Sequence, residues 1–444
     1  MSRTLEKSNR HFHNAIRRLP LGVSSNFRYW GDERTVYVKR GRGARVWDLD
    51  DNAYIDYRLG YGPVILGHCH AQVDAAAREG QAIGTVFALG TERELAVAEL
   101  IHDMVPAAEL VRFSNSGTEA VMAALRLARA ATGKDNYVIF EGSYHGLFDA
   151  TMWWADVANL KDPDQDPEIV SLGKGIPDLI RQLFWQVPYN DADRLESLFR
   201  RHADRIAAVL IEPILGNCCG IPSRPDFIRA VRELCDRHGV LMIVDEVKTG
   251  FRVAKGGAQE LYGVAADICT MAKAMGNGYP IAAVAGREEF MRLFGKGVAH
   301  GGTYTAQSMS LAAAEKTLQI LRDTTALADI ALYGKAMQAG MSRILDASGV
   351  AHSFSGHPSM AGLFFRETAP TNYRDWRLSD YTFYDALARN LIDRGVMCEP
   401  DSREPWFISA AHDRSCLEET LGVFEEALDA TLDRAARPRG QAAE

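Results

Sequence analysis

Lys273 is the residue whose surroundings in this sequence best suit nucleophilic chemistry. It follows a short apolar run and precedes the glycine-rich turn 276–278, which predicts that it lies at the end of a buried strand. Burial lowers the pKa of a lysine, and the neutral amine is a nucleophile that can form a Schiff base with a carbonyl compound. Because most lysines near a turn are solvated surface groups, this prediction depends on partners elsewhere in the chain.

Ser116, Gly117 and Thr118 lie between a predicted strand and a predicted helix. Small residues expose backbone N–H groups, and a helix N-terminus carries a partial positive charge, so this segment suits an anion such as phosphate. The alternative is an ordinary helix N-cap by Ser116 or Thr118, which the residue types alone favour.

Tyr144 and Asp245 also follow predicted strands. An aromatic ring at position 144 can stack on a flat ligand, although a packed turn residue is the simpler interpretation. Asp245 ends the apolar run 240–244, which delivers a carboxylate to an interior position. Such a carboxylate needs a cationic or N–H partner, and either a protonated heterocyclic nitrogen or a buried ion pair would satisfy it.

The sequence therefore offers four groups that could bind one ligand. They are an anion site at residues 116–118 and at the glycines before Thr303, the aromatic ring of Tyr144, the carboxylate of Asp245 and the amine of Lys273. That set of groups can hold pyridoxal phosphate through its phosphate, its ring, its pyridine nitrogen and its aldehyde. The order of the features and their placement at strand ends support this prediction more strongly than any one feature does.

Strands and helices alternate along the middle of the chain. This alternation predicts an α/β fold with a mainly parallel sheet and helices on both faces, and ligands bind such sheets at the carboxyl ends of the strands. The predicted strands are 110–113, 137–140, 206–212, 240–247, 267–272 and 281–285, and the predicted helices include 92–104, 120–131 and 226–238.

Two stretches lie outside this pattern. Residues 151–181 are rich in Trp, Asp, Pro and Gly and predict a long loop, either a lid or a disordered segment. From residue 309 onwards, a long helix and short strands predict a smaller α+β domain. The expected division is an N-terminal segment 1–50 that joins the small domain, a large domain 51–308 and a C-terminal domain 309–444.

The composition is that of an ordinary globular protein, with 444 residues, 47% hydrophobic and 24% charged. A net charge of -8 argues against a nucleic-acid partner. Seven scattered cysteines predict reduced thiols and a cytoplasmic location, and no metal site is expected. The polar start of the chain and the lack of a long apolar run predict neither a secretory signal nor a membrane partner.

The sequence resembles the class III aminotransferases among the fold-type-I pyridoxal-phosphate enzymes, and within them the glutamate-1-semialdehyde 2,1-aminomutase branch. The similarity extends from residue 22 to about residue 433 and implies a seven-stranded, mainly parallel sheet in the large domain. The matching motifs are residues 22–28, 65–70, 115–120, 144–146, 245–252, Lys273 with its glycine turn, and 407–412.

The resemblance implies a role for each candidate residue. Lys273 would form the Schiff base and move a proton, Asp245 would pair with the pyridine nitrogen, and Tyr144 would stack on the ring. A Thr303 shared between subunits implies a homodimer in which both chains complete each active site. The other implied cofactor contacts are Ser116, Gly117 and Thr118 at the phosphate, Val247 on the second ring face, Asn217 at the ring hydroxyl and Thr303 at the neighbouring subunit's phosphate.

The resemblance also implies that Arg28 binds a substrate carboxylate and that Glu404 pairs with Arg28 or with the substrate amine. Lys248, Tyr61 and segment 302–307 depart from the aminomutase pattern, which leaves the substrate open. The leading interpretation is ping-pong transfer of an amino group between an amino donor and a keto acceptor. The alternatives are an intramolecular aminomutase, a racemase and a cofactor-binding protein without catalysis.

Overall fold

The computed structural model describes residues 3–160 and 165–436 of the chain. Its strands are β1 (Val38–Arg42), β2 (Arg45–Asp48), β3 (Ala53–Asp56), β4 (Leu110–Ser114), β5 (Asn136–Phe140), β6 (Trp153–Ala155), β7 (Ile169–Ser171), β8 (Phe184–Val187), β9 (Ile206–Ile211), β10 (Ile214–Leu215), β11 (Ile221–Pro222), β12 (Leu241–Asp245), β13 (Ile268–Met271), β14 (Ala282–Gly286), β15 (Ser353–His357), β16 (Met360–Phe364), β17 (Val396–Met397) and β18 (Trp406–Phe407). Its α-helices are α1 (Glu6–Ala15), α2 (Ala71–Ala82), α3 (Glu92–Met104), α4 (Gly117–Thr132), α5 (Ala192–His202), α6 (Pro225–His238), α7 (Gly257–Tyr262), α8 (Glu288–Met291), α9 (Ser308–Asp323), α10 (Ala326–Ala347), α11 (Tyr373–Trp376), α12 (Tyr381–Arg394) and α13 (Arg414–Ala436).

Among the described residues, the largest sheet has seven strands in the order β4-β14-β13-β12-β9-β5-β8. Neighbouring strands are parallel from β13 to β8, whereas β14 is antiparallel to both of its neighbours. The central strands β9 and β12 are buried along their whole length, which explains their continuous apolar runs. The predicted α/β fold with a mainly parallel seven-stranded sheet is confirmed.

The strand directions place six strand ends at one edge of this sheet. Strands β13, β12, β9, β5 and β8 are parallel, so their carboxyl ends share that edge. Strand β4 points the same way, because β14 is antiparallel to both β4 and β13. Residues that follow neighbouring strands at this edge can therefore lie close together.

Helix α3 has the predicted bounds, whereas α4 begins three residues earlier than predicted. The reason is a capping box. The backbone N–H of Glu119 donates to the Ser116 hydroxyl, and the Glu119 carboxylate accepts from the N–H of Ser116. The cap makes Gly117 and Thr118 the first residues of the helix.

Two smaller sheets join distant parts of the chain. One has the order β1-β2-β3-β17, in which β17 pairs in parallel with β3. The other has the order β15-β16-β18. The N-terminal strands therefore pair with a C-terminal strand, which is compatible with an N-terminal segment that joins the small domain. The exact division at residues 50 and 308 stays a prediction.

The segment 151–181 is more ordered than the predicted long loop. It contains an antiparallel hairpin in which β6 pairs with β7. Trp153 and Ala155 of β6 are buried against the body of the protein, and this burial explains why the hairpin forms. Residues 161–164 of the predicted lid lie outside the described residues.

In the described part of the chain, no helix is long and apolar enough to cross a membrane. The same residues contain no cluster of His, Cys, Asp or Glu that could hold a metal ion. All seven cysteines are free thiols, and six of them are buried.

Candidate active site

A cavity of about 250 Å³ contains side chains from the carboxyl edge of the central sheet. Residues that follow β5, β9, β12 and β13 line it together with the start of α4, as the strand directions require. The predicted site residues that line it are Gly117, Thr118, Tyr144, Asn217, Asp245, Val247, Lys273 and Glu404.

Lys273 lies two residues beyond the end of β13. Burial, followed by the nearby Lys248 ammonium, lowers the pKa of Lys273 to about 8. The amine is therefore neutral in an appreciable fraction of molecules near neutral pH. Its backbone has a φ of 48°, in the left-handed region that residues with a side chain seldom adopt.

Asp245 is held in a fixed orientation at the end of β12. Its side chain is 3% exposed. Oδ2 accepts a hydrogen bond from Nδ1 of His145 at 2.8 Å. Oδ1 accepts from the backbone N–H of Val247 at 3.0 Å and from the Thr270 hydroxyl at 3.2 Å. These donors orient the carboxylate, whose oxygens can still accept from a further donor in the cavity.

The N-terminus of α4 forms part of the cavity wall. Ser116 caps the helix as described above, and Gly117 and Thr118 line the cavity. A Cβ atom at position 117 would lie 3.0 Å from both methyl carbons of Val247, so the backbone comes close to that side chain only because residue 117 is glycine. The N-cap and anion-site interpretations are compatible, because the first helical N–H groups are not used by the cap.

Tyr144 lies over the cavity and is positioned by a buried carboxylate, Glu212. The backbone N–H of Tyr144 donates to Glu212 Oε1 at 2.7 Å, and that of Gly216 donates to Oε2 at 3.1 Å. Burial raises the pKa of the Tyr144 hydroxyl to about 12, so the phenol is neutral. Burial also raises the pKa of Glu212.

Glu212 and His145 are site residues that the sequence reasoning did not assign. Glu212 comes directly after β9, just as Asp245 is the last residue of β12. An acidic residue at the end of a buried apolar strand is therefore a signal that could have indicated Glu212. His145 lies between Tyr144 and Gly146 in a recognised motif, but its partner is 100 residues away. No local signal identifies such a contact. Nε2 of His145 is buried and has no hydrogen-bond partner in the described part of the chain.

Lys248 and Glu404 form an ion pair in the wall of the same cavity. Lys248 Nζ lies 2.7 Å from Oε2 and 2.9 Å from Oε1 of Glu404, and it donates to Asn217 Oδ1 at 2.8 Å. The contact that the structure shows for the Glu404 carboxylate is with Lys248, whereas the resemblance had implied Arg28 or the substrate amine.

Arg28 and Thr303 lie apart from the cavity that contains Lys273. Arg28 is exposed in a neighbouring depression, which shares Gly60 and Tyr61 with that cavity. Thr303 is exposed in a separate groove beside residues 85–91. Within one chain, neither residue is brought to Lys273.

Comparison with known proteins agrees with this fold. The family Aminotransferase class-III matches residues 28–423. A glutamate-1-semialdehyde 2,1-aminomutase 2 from Brevibacillus brevis is 39% identical over 429 residues, 95% of this chain and 98% of that protein. The crystal structure of an omega-transaminase from Sphaerobacter thermophilus has a TM-score of 0.87 and 31% identity, and the match covers 95% of this chain and 97% of that one.

A β-phenylalanine aminotransferase from Variovorax paradoxus has a TM-score of 0.86 and 28% identity, over 98% of this chain and 96% of that chain. The fold and the cavity define a pyridoxal-phosphate enzyme of fold type I. The chain belongs to the class III aminotransferases, because the family match spans most of its length and relatives above 30% identity cover it almost completely.

Proposed function

We propose that the protein is an aminotransferase that moves an amino group between an amino acid or amine and a keto acid or aldehyde in a ping-pong reaction. The observation that carries this proposal is the convergence of Lys273 and the Asp245–His145 pair on one cavity. The lowered pKa of Lys273 suits an amine that acts both as a nucleophile and as a proton carrier.

The cavity residues fit pyridoxal phosphate. The N–H groups of Gly117 and Thr118 would bind the phosphate beside Ser116, and Tyr144 and Val247 would contact the two ring faces. Asp245 would pair with the ring nitrogen. When bound, the cofactor supplies an electrophilic carbon for an amine and a sink for the electrons of a broken C–H bond.

The chain's own residues perform the remaining tasks. Lys273 would move a proton to and from the substrate carbon. His145 holds Asp245 in place, and Glu212 holds the backbone of Tyr144. Asn217 presents its oxygen to Lys248, so its NH₂ group is the part that can donate to the ring hydroxyl.

Half-reactions followed by absorbance test this proposal. An amine from a panel should bleach the absorbance of the bound cofactor, and pyruvate or 2-oxoglutarate should restore it. If no amine bleaches the cofactor, the protein is not an aminotransferase for the compounds in the panel and the alternative functions must be tested.

The second candidate is an intramolecular aminomutase, which the aminomutase relatives at 35–39% identity favour. This function predicts isomerisation of glutamate 1-semialdehyde with no added donor or acceptor. A racemase would instead exchange the substrate α-proton with solvent without net transfer of nitrogen. The three outcomes are distinguished by product analysis of the same reactions.

Arg28→Ala should weaken binding of a carboxylated substrate by about ten- to a hundredfold, because a charge-assisted hydrogen bond contributes roughly 1.5–3 kcal/mol. Arg28→Lys should recover part of this loss, since an ammonium cannot form the two parallel hydrogen bonds of a guanidinium. The measurement is kcat/KM for a carboxylated donor and for a simple amine. Equal losses for both donors, or no loss for either, would show that Arg28 has a structural role.

We also propose that the active unit is a homodimer in which Thr303 reaches the phosphate of the neighbouring subunit. Exposed apolar side chains beside the Thr303 groove support self-association, among them Phe87 at 44%, Leu89 at 80% and Tyr304 at 65% exposure. Gly301 and Gly302 leave room for a close approach to a second chain.

A mixture of two inactive variants tests this sharing. Thr303→Asp should prevent phosphate binding through charge repulsion, and Lys273→Ala removes the amine. Random mixing of the two subunits should give about a quarter of wild-type activity, because half of the dimers would be mixed and each would have one intact site. Thr303→Ser serves as the control that keeps the hydroxyl. Verified mixed dimers without activity would contradict sharing.

A further inference from the structure

Lys248 is a buried cation that faces the cavity. Its side chain is 5% exposed, and its ammonium contacts Asn217 and both carboxylate oxygens of Glu404. A buried ammonium needs an anionic partner to remain charged. Glu212, another carboxylate near Lys248, accepts from the backbone N–H groups of Tyr144 and Gly216. Glu404 therefore provides the direct contact that compensates the charge of Lys248.

The position of Lys248 is fixed by its surroundings. Its stem lies against Gly216, where an added Cβ atom would be 2.1 Å from Lys248 Cδ. The same turn is anchored four residues later by Arg252, which is fully buried and donates to the backbone carbonyls of Ser359 at 3.1 Å and Ile408 at 2.9 Å. Lys248 has little freedom to leave the cavity wall.

Glu404 is held less firmly. It lies in an irregular segment between β17 and β18, and its side chain is 13% exposed at the cavity. Its carboxylate contacts Lys248, so turning it outward would break those contacts. A different carboxylate that entered the cavity would form the same charge-assisted hydrogen bonds with Lys248.

We infer that Lys248 is a carboxylate-binding group of the active site and that Glu404 is its resident partner, which a substrate carboxylate replaces. The inference rests on the proposed function in one respect, namely that the ligand is a carboxylated amino donor or keto acceptor. This subsite differs from the one predicted at Arg28, which opens onto the neighbouring depression. The position of Lys248 on the wall beside Lys273 makes it a specificity-determining residue.

Titration calorimetry of the cofactor-loaded protein with propionate and succinate tests the inference without turnover. Lys248→Met should weaken binding of a carboxylate about tenfold or more, because the cationic partner is lost. Glu404→Gln should instead strengthen binding, because the competing resident carboxylate is removed. Propionamide, which has no charge, should bind these variants and the wild type alike.

Lys248→Met alone leaves the Glu404 carboxylate unpaired and could therefore fail to fold. The double variant Lys248→Met/Glu404→Gln removes both charges of the pair and can be tested in its place. Because it lacks the cation, it should bind propionate about tenfold or more weakly than Glu404→Gln does. Lys255→Met, which changes an exposed lysine outside this cavity, is the matched control and should bind propionate like the wild type.

A purely structural ion pair would give a different pattern. Lys248→Met and Glu404→Gln would then change carboxylate binding in the same direction or not at all, and either result would overturn the inference. The amine half-reaction tests the proposed function separately. Suppose that no amine bleaches the cofactor, while propionate binds more weakly to Lys248→Met and more tightly to Glu404→Gln. These results would reject the aminotransferase function and still support the carboxylate subsite.

Discussion

Lys273→Ala should lower the rate of amino transfer by at least about 10⁴-fold, because one substitution removes both the nucleophile and the proton carrier. Lys248, which also lines this cavity, is held by Glu404 and Asn217, so we expect that it does not take the place of Lys273. The variant should fold, since alanine removes only the part of the side chain beyond Cβ. The measurements are kcat and circular dichroism of the purified variant.

Borohydride reduction of the wild-type protein followed by peptide mapping should place the cofactor label on Lys273. A label on Lys248 or on any other lysine would contradict the assignment. The pH dependence gives a second check. Because the neutral amine is the reactive form and its pKa is about 8, attachment of cofactor to cofactor-free protein should accelerate as the pH rises through about 8 and then level off.

Asp245→Asn should lower the rate by about 10²-fold or more, since a preorganised charge that stabilises the transition state contributes on this scale. The amide has nearly the same shape as the carboxylate, so the contacts from Val247 and Thr270 can be largely kept. What the variant loses is the negative charge that would keep the ring nitrogen protonated. The measurement is the single-turnover rate with an excess of amine.

Asp267→Asn is a matched control for this prediction. Asp267 is also a buried carboxylate, but it lies just before β13 and pairs with Arg232 and Arg287. Its loss should reduce stability and leave the turnover of the folded protein near the wild-type value. Near-normal turnover in Asp245→Asn would refute the role of Asp245.

Six of the seven strands of the central sheet were predicted, because they are apolar runs, as in β9 and β12. The edge strand β8 was not predicted, and its two middle residues are only half-buried. The direction of β14 is not predictable in the same way, since a fully buried strand has the same pattern in either direction. The hairpin in segment 151–181 was missed because its two strands have three residues each and are separated by a long connection.

The site was predictable where its residues end strands, as Asp245 does. Strand direction then brings such residues together without any knowledge of side-chain contacts. The contacts between them were not predictable, because they join residues far apart in sequence. His145 and Asp245 are 100 residues apart, and Lys248 and Glu404 are 156 residues apart. Only the folded chain shows that Glu404 contacts Lys248.

The left-handed backbone of Lys273 gives this position a trade-off between stability and activity. A residue with a Cβ atom is disfavoured there by roughly 1–2 kcal/mol, and glycine would avoid most of that cost. Lys273→Gly would therefore relieve backbone strain while removing the amine that the proposed chemistry requires. Lysine at residue 273 is thus less favourable for the backbone than glycine, and the benefit that would offset this cost is the proposed chemistry of its amine.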